Sequence, residues 1–258
     1  DYITSNTVAV LDIETDVLTP CKSGEEKPIM VALTFGNKRI ISIVKSFLEG
    51  MSDVENKLRS LCDKYLANYT PADTELIIDI AETPGQSIKN VIQQAHKWMP
   101  DFIAIWNINF DLPKMNAALI DEGIRLEDVY SDPSIPVPIR HAKYIIGSHQ
   151  KKKSNGQITP IHWTEQWHTM ECPASFYFID AGCVYRRIRV AKGMEPGGYS
   201  LDNILNKNLG IRKLKFDDLL EAEAPHIRPS TLAWHQFMQK NYKLEYAVYN
   251  LFDCISVE

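Results

Sequence analysis

The chain has 258 residues, 45% hydrophobic and 24% charged, with a formal net charge of −5. These are ordinary globular proportions, with enough apolar matter for one large α/β domain or two small ones. No apolar run approaches the roughly 18 residues of a membrane span, and no basic-then-apolar leader opens the chain, so no membrane partner is expected. Five cysteines (Cys21, Cys62, Cys172, Cys183 and Cys254) are scattered without a CxxC pair, which suits a reducing cytoplasm better than a disulfide framework. His162, His168 and Cys172 lie near one another but lack a complete zinc set. Asp1 is not a natural start and Cys254 to Glu258 still has a helical pattern, so a piece of a longer polypeptide is expected.

In chain order, Val8-Ala9-Val10-Leu11 is a fully apolar, β-prone run and predicts a strand covered on both faces. Pro28 to Gly36 and Arg39 to Lys45 follow as strands joined at Gly36-Asn37, giving a three-stranded antiparallel meander. Ser52-x-x-Glu55 has the form of a capping box. It precedes a helix with Val54, Leu58, Leu61, Cys62 and Tyr65 on one face. A second helix is predicted from Gln86 to Trp98, and a second buried strand over Phe102 to Trp106. Asp111 and Pro113 then open a helix carrying Met115, Ala118 and Leu119, stopped by Gly123. Tyr144 to Trp163 predicts a hairpin turning at Asn155-Gly156, and Phe176 to Asp180 a further strand. From Ser200 onward the pattern is mostly helical, ending in a helix with Tyr246, Tyr249 and Asp253. No Pro/Gly/Ser-rich linker divides the chain, so residues 1–258 are expected to form one domain.

Three fragments carry chemistry. Asp12 and Glu14 end the first strand on the same face, because strand side chains alternate. Two carboxylates there are costly unless neutralised, and a hard divalent cation does that. Asp111 follows the second buried strand, where open α/β sheets bind ligands; taken alone it is a helix N-cap, and Phe110 beside it a core residue. Tyr249 and Asp253, four apart, share a face of the last helix. The negative net charge does not advertise a nucleic-acid binder. Basic residues nevertheless gather at Lys151 to Lys153, at Arg186/Arg187/Arg189/Lys192 and at Arg212/Lys213/Lys215.

Together the fragments Leu11-Asp12-Ile13-Glu14-Thr15, Asn107-x-x-Phe110-Asp111 and Tyr249-x-x-x-Asp253 resemble, in order, the three motifs of the proofreading exonuclease domain of family-B DNA polymerases, in the tyrosine branch of the DEDD superfamily. Pro100-Asp101-Phe102-Ile103, before the second motif, is also similar to that family. So is Tyr199-Ser200-Leu201-Asp202, followed by Leu209-Gly210 and Lys213. The Tyr249-Asn250 pairing resembles versions from large DNA phages. The likeness spans most of the chain. It departs from the family in the long stretch Ser46 to Glu82 and in the elaboration Ile139 to Trp167.

The resemblance implies an RNase H-like α/β fold, a mixed five-stranded sheet flanked by helices, and a two-metal 3′→5′ exonuclease that uses Mg²⁺ or Mn²⁺. By that resemblance Asp12, Glu14 and Asp253 hold the water-activating cation, Asp12 bridges to a second, and Asp111 acts through that one's water shell. Tyr249 orients the attacking water. Ile13 and Thr15 lie near the terminal 3′-OH, Asn107 near the substrate, and Phe110 stacks on a base. The implied partners are a single-stranded or frayed primer 3′ end and polymerase domains of the same chain. The implied location is the cytoplasm, that of the host if the chain is phage-encoded. A free-standing ribonuclease or oligonucleotide exonuclease of the same superfamily shares this chemistry, and a degenerate structural module is the non-enzymatic alternative.

Overall fold

The computed structural model describes residues 5–22, 24–194 and 198–258; Asp1, on which the reading of an excised start rested, lies outside them. The apolar run beginning at Val8 forms β1 (Val8–Thr15), and the meander is completed by β2 (Pro28–Phe35) and β3 (Lys38–Val44). Both pairings are antiparallel, with Asp12 opposite Ala32 and Ala32 opposite Ile41. Gly36 makes the turn at φ 59°, a left-handed conformation that glycine adopts without steric cost.

Helix α1 (Val54–Leu66) presents the predicted stripe to the core, with Leu58 fully buried. The capping box, however, does not form. Asp53, at φ 54°, occupies the cap position without a side-chain bond to the helix backbone, and its carboxylate instead accepts from the Asn56 amide at 2.6 Å. With Asp53 at the cap, Ser52 stands one residue before the position a capping box requires. The Ser46–Glu82 stretch that looked long for a connection also contains a strand, β4 (Glu75–Ala81), pairing parallel to β3. Its sequence, Glu-Leu-Ile-Ile-Asp-Ile-Ala, is strand-like, with Leu76 and Ile78 packed on one face of the sheet and Ile77 on the other. The sheet therefore has six strands rather than the expected five.

Helix α2 (Pro84–Trp98) is capped by Thr83, which accepts from the Gln86 amide at 3.2 Å, with Pro84 in the first turn. Strand β5 (Phe102–Ile105) lies parallel to β1. Asp101 fixes that alignment, its carboxylate accepting from the Thr7 amide (2.6 Å) and hydroxyl (2.8 Å) at the foot of β1. Helix α3 (Ile108–Asp121) starts earlier than predicted: Asn107 precedes its first residue, so Asp111 sits in the first turn and is not the N-cap. Gly123, at φ 69°, ends it as expected.

After the short helix α4 (Leu126–Tyr130), the predicted hairpin proves to be two nested pairs. Strands β6 (Lys143–Ile145) and β9 (Thr169–Glu171) enclose β7 (Gln150–Lys152) and β8 (Ile158–Pro160), with the inner turn at Gly156. Strand β10 (Tyr177–Asp180) closes the sheet, whose order is β10-β5-β1-β2-β3-β4 with β2 alone antiparallel. The remaining helices are α5 (Ala181–Ala191), α6 (Leu201–Leu209), α7 (Asp217–Glu223), α8 (Leu232–Asn241) and α9 (Lys243–Val257).

Each face of the sheet buries its own apolar cluster. Ala9, Leu11, Ile13 and Val31 pack under α2 and α3; Val10, Met30, Ile41 and Ile43 pack under α1 and α9. Each such fully buried side chain contributes roughly 1.5–3 kcal/mol. The result is a three-layer α/β arrangement in which α9 lies directly over β1 and β2. Among the described residues no helix is long and apolar enough to cross a membrane.

Candidate active site

Alternation along β1 sends Val10 into the α9-side core and places Asp12 and Glu14 above it on the same face. Helix α9 meets them with one stripe. Tyr246, Tyr249, Asn250 and Asp253 recur at helical spacing, and all four are buried. Asp12, Glu14 and Asp253 thereby each offer a carboxylate oxygen within 4.8 Å of the others. Asp111, 4% exposed, approaches from the first turn of α3 and feels the charges of Asp12 and Glu14. All nine site residues nominated from the sequence line one cleft of 530 Å³ at the carboxyl ends of β1 and β5. Phe110, which taken alone suited the core, is 44% exposed and stands at the cleft. Its ring is covered on one side by the Lys114 ammonium at 4.6 Å.

The carboxylates are held by neighbours that sequence reasoning did not assign. The Asn250 amide donates to Asp12 Oδ2 at 2.7 Å, and the Tyr246 hydroxyl donates to Glu14 Oε2. His235 Nδ1 lies 2.8 Å from that hydroxyl and donates to it, since the tyrosine proton is already committed to Glu14. Burial, with Lys213 nearby, drops the His235 pKa to about 4 and keeps the ring neutral. Gln239, fully buried on α8, clamps the chain as it leaves β1: its Nε2 donates to the Thr15 carbonyl (2.8 Å) and its Oε1 accepts from the Val17 amide (3.1 Å). The signals in the sequence were helical register with Asp253 for Tyr246 and Asn250, and for Asn250 also its place beside Tyr249 in the third motif; Gln239 had none.

Lys213 pairs with Asp253 and lies over the Tyr249 ring at 4.8 Å. Its segment is anchored by Trp234, whose indole N–H donates to the Lys215 carbonyl at 3.1 Å while its ring packs edge-on against Tyr249. One ammonium cannot neutralise four crowded carboxyls. Burial first, then the neighbouring Asp253, lifts Asp12 to about 7. Burial and the Asp12 charge raise Glu14 well above its ordinary value, and burial raises Asp253 against the pull of Lys213. Burial and the surrounding carboxylates also hold the Tyr249 phenol well above its usual range, so its hydroxyl keeps its proton. Asp253 Oδ1 is buried without a hydrogen-bond partner. Three carboxylates converging on one point, one of them with an orphaned buried oxygen, form a hard-oxygen donor set of the kind that suits a divalent cation.

A further acid, Asp180 at the end of β10, adds to the charge felt by Asp111. It is occupied capping α5, where it accepts from the Cys183 amide at 3.0 Å. His162 and His168 are tied to Thr164 and to Tyr144 and Gln166, and among the described residues they do not join Cys172 in a metal-binding group. Of the basic runs, Arg212 and Lys215 bind Asp202, Arg186 pairs with Glu165 at 2.5 Å, and Lys151 to Lys153 are exposed on the inner hairpin. No protein-family model matches the chain, and no curated protein matches it.

Proposed function

We propose that the chain is a divalent-cation-dependent 3′→5′ exodeoxyribonuclease domain that trims single-stranded or frayed DNA ends, working as the proofreading part of a longer DNA polymerase. The observation that carries this reading is the convergence of Asp12, Glu14 and Asp253 within 4.8 Å, with Asp253 Oδ1 left buried and unpartnered. These three and Asp111 would hold two divalent cations, Mg²⁺ or Mn²⁺, which would supply activation of the attacking water and stabilisation of the departing oxygen.

The remaining roles belong to the chain. Water adds at phosphorus, the P–O3′ bond breaks, the terminal nucleotide leaves with its phosphate, and the shortened strand keeps a 3′-hydroxyl. Tyr249, protonated and on the same face of α9 as Asp253, presents its oxygen to orient the attacking water. It does not act as the base, because a phenol with so high a pKa cannot take a proton near neutral pH. Lys213 offsets the negative charge that the phosphate brings. Phe110, exposed at the cleft, offers a stacking face worth roughly 1–3 kcal/mol per base and indifferent to base identity. Asn107, exposed beside it, and the backbone at Ile13 and Thr15 line the place for the terminal sugar.

The test is a 5′-labelled single strand incubated with Mn²⁺. A ladder of products shortened from the 3′ end is expected. No cation-dependent hydrolysis, or shortening from the 5′ end, would sink the proposal. Matched DNA and RNA strands in parallel separate a DNA-trimming enzyme from a ribonuclease with the same chemistry.

A further inference from the structure

A second polar cleft, of 430 Å³, opens between α1, the 67–74 segment and β4, and is lined by Arg39, Arg59, Cys62, Asp63, Thr74 and Leu251 among others. Arg39 is its unusual feature. It projects from β3 on the same sheet face as Ile41 and Ile43, and it is only 3% exposed. One nitrogen, Nη1, donates to the Thr74 hydroxyl at 3.0 Å. Its Nε is buried without a partner, and Arg39 makes no ion pair among the described residues.

Opposite it on β2 stands Thr34, fully buried, whose hydroxyl is also unpartnered. Arg59, the other cation of the cleft, is already committed to Glu55 and to the Leu76 carbonyl, both at 2.9 Å. Burial pulls the Arg39 pKa below its ordinary value, opposed chiefly by the Glu258 carboxylate. That carboxylate in turn accepts from the Gly36 amide. Burying a guanidinium without a contacting counter-charge is costly, and the unpartnered Nε leaves Arg39 with hydrogen-bonding capacity for an anion's oxygen.

We propose that the Arg39 cleft binds a small molecule through an oxyanion head, a carboxylate or a phosphate, docked against the Arg39 guanidinium that lines it. The cleft volume falls within the ~300–1,000 Å³ of small-molecule sites. Its mixed lining, apolar at Leu66, Leu76 and Leu251, leaves room for a body beyond the head. The site is independent of the acid cleft, since no residue lines both.

The test titrates the 258-residue protein with inorganic phosphate and, separately, with acetate, in chloride buffer at constant ionic strength, reading melting temperature and heat of binding. Saturable stabilisation by at least one anion is expected, and which anion acts identifies the head group. Arg39→Met should raise the anion-free melting temperature, because the unpaired charge is gone, and should remove the saturable response. Ala72→Trp, which narrows the mouth while leaving Arg39 in place, should weaken binding at least about tenfold. If Arg39→Met does not fold, Arg39→Lys serves instead: it keeps the charge, loses the two-pronged edge, and should bind at least about tenfold more weakly. No saturable response in the wild type, or an equal one in the Arg39 variant, overturns the proposal.

Discussion

Helix α9 has a cleft on either side, and the two carry opposite charge. Tyr249 and Asp253 face the acid cleft at the end of β1, while Leu251, half a helical turn away, lines the cleft of Arg39. Both clefts bury charge without a full complement of partners: Asp253 Oδ1 in one, Arg39 Nε in the other. A fold does not retain such groups for stability, because apolar residues of similar volume are often neutral or better. What differs is how the charge is built. The acid cleft draws carboxylates from three separate elements onto one point, whereas the basic one rests on a single guanidinium and its strand register. The first arrangement suits a multivalent cation and chemistry; the second suits binding alone.

That contrast can be broken by experiment. The largest expected effect is from divalent cations on stability. Saturating Mn²⁺, at about 100 times its dissociation constant, should stabilise the wild type by about 2.7 kcal/mol, read as a rise in melting temperature. Asp253→Asn should lose most of it, and Arg39→Met none. A rise that survives Asp253→Asn would remove the acid cleft as the cation site.

Gln239→Leu should cost about 1–3 kcal/mol in chemical denaturation, because it strips two hydrogen bonds from the buried end of β1. Wild-type stability in that variant would mean the clamp is not needed.

The pH dependence follows from Asp12. Its carboxyl pKa is raised from 3.8 to about 7 in the cation-free fold. Between those values the folded protein holds a proton that the unfolded chain has released, so stability falls as pH rises through that window. Relative to Asp12→Asn, the cation-free wild type should therefore lose stability from about pH 4 to pH 7, by an amount the two melting curves report. A constant difference across that range would show that Asp12 is not desolvated. Smallest is Tyr249→Phe. Loss of one orienting hydrogen bond should slow trimming about 3- to 10-fold with little change in cation binding; a wild-type rate would exclude the hydroxyl from the reaction.

The same two clefts show what the sequence made legible. Asp12, Glu14, Asp111, Tyr249 and Asp253 stood out because each sits where an apolar element ends or on a helix face, a short-range pattern. The meander, α2 and the Asn155-Gly156 turn were visible for the same reason. Strand β4 was overlooked although its letters are strand-like; the one interruption, Asp79, is a part-buried acid held by Ser42 and Asn90. The false capping box at Ser52 shows that a motif needs the backbone conformation as well as the letters. Tyr246, Asn250 and Gln239 reach β1 from more than 200 residues away. Arg39 and Thr34 looked like ordinary strand residues, and the unpartnered Nε of one and hydroxyl of the other show only in the folded sheet.

The most direct test of the central claim is the rate of 3′-end trimming, in Mn²⁺, by Asp12→Ala combined with Glu14→Ala. The account predicts a loss of at least about a thousandfold, roughly 4 kcal/mol of transition-state stabilisation, in a protein whose circular dichroism and Arg39-dependent anion response are those of the wild type. A double variant that trims at the wild-type rate would contradict it.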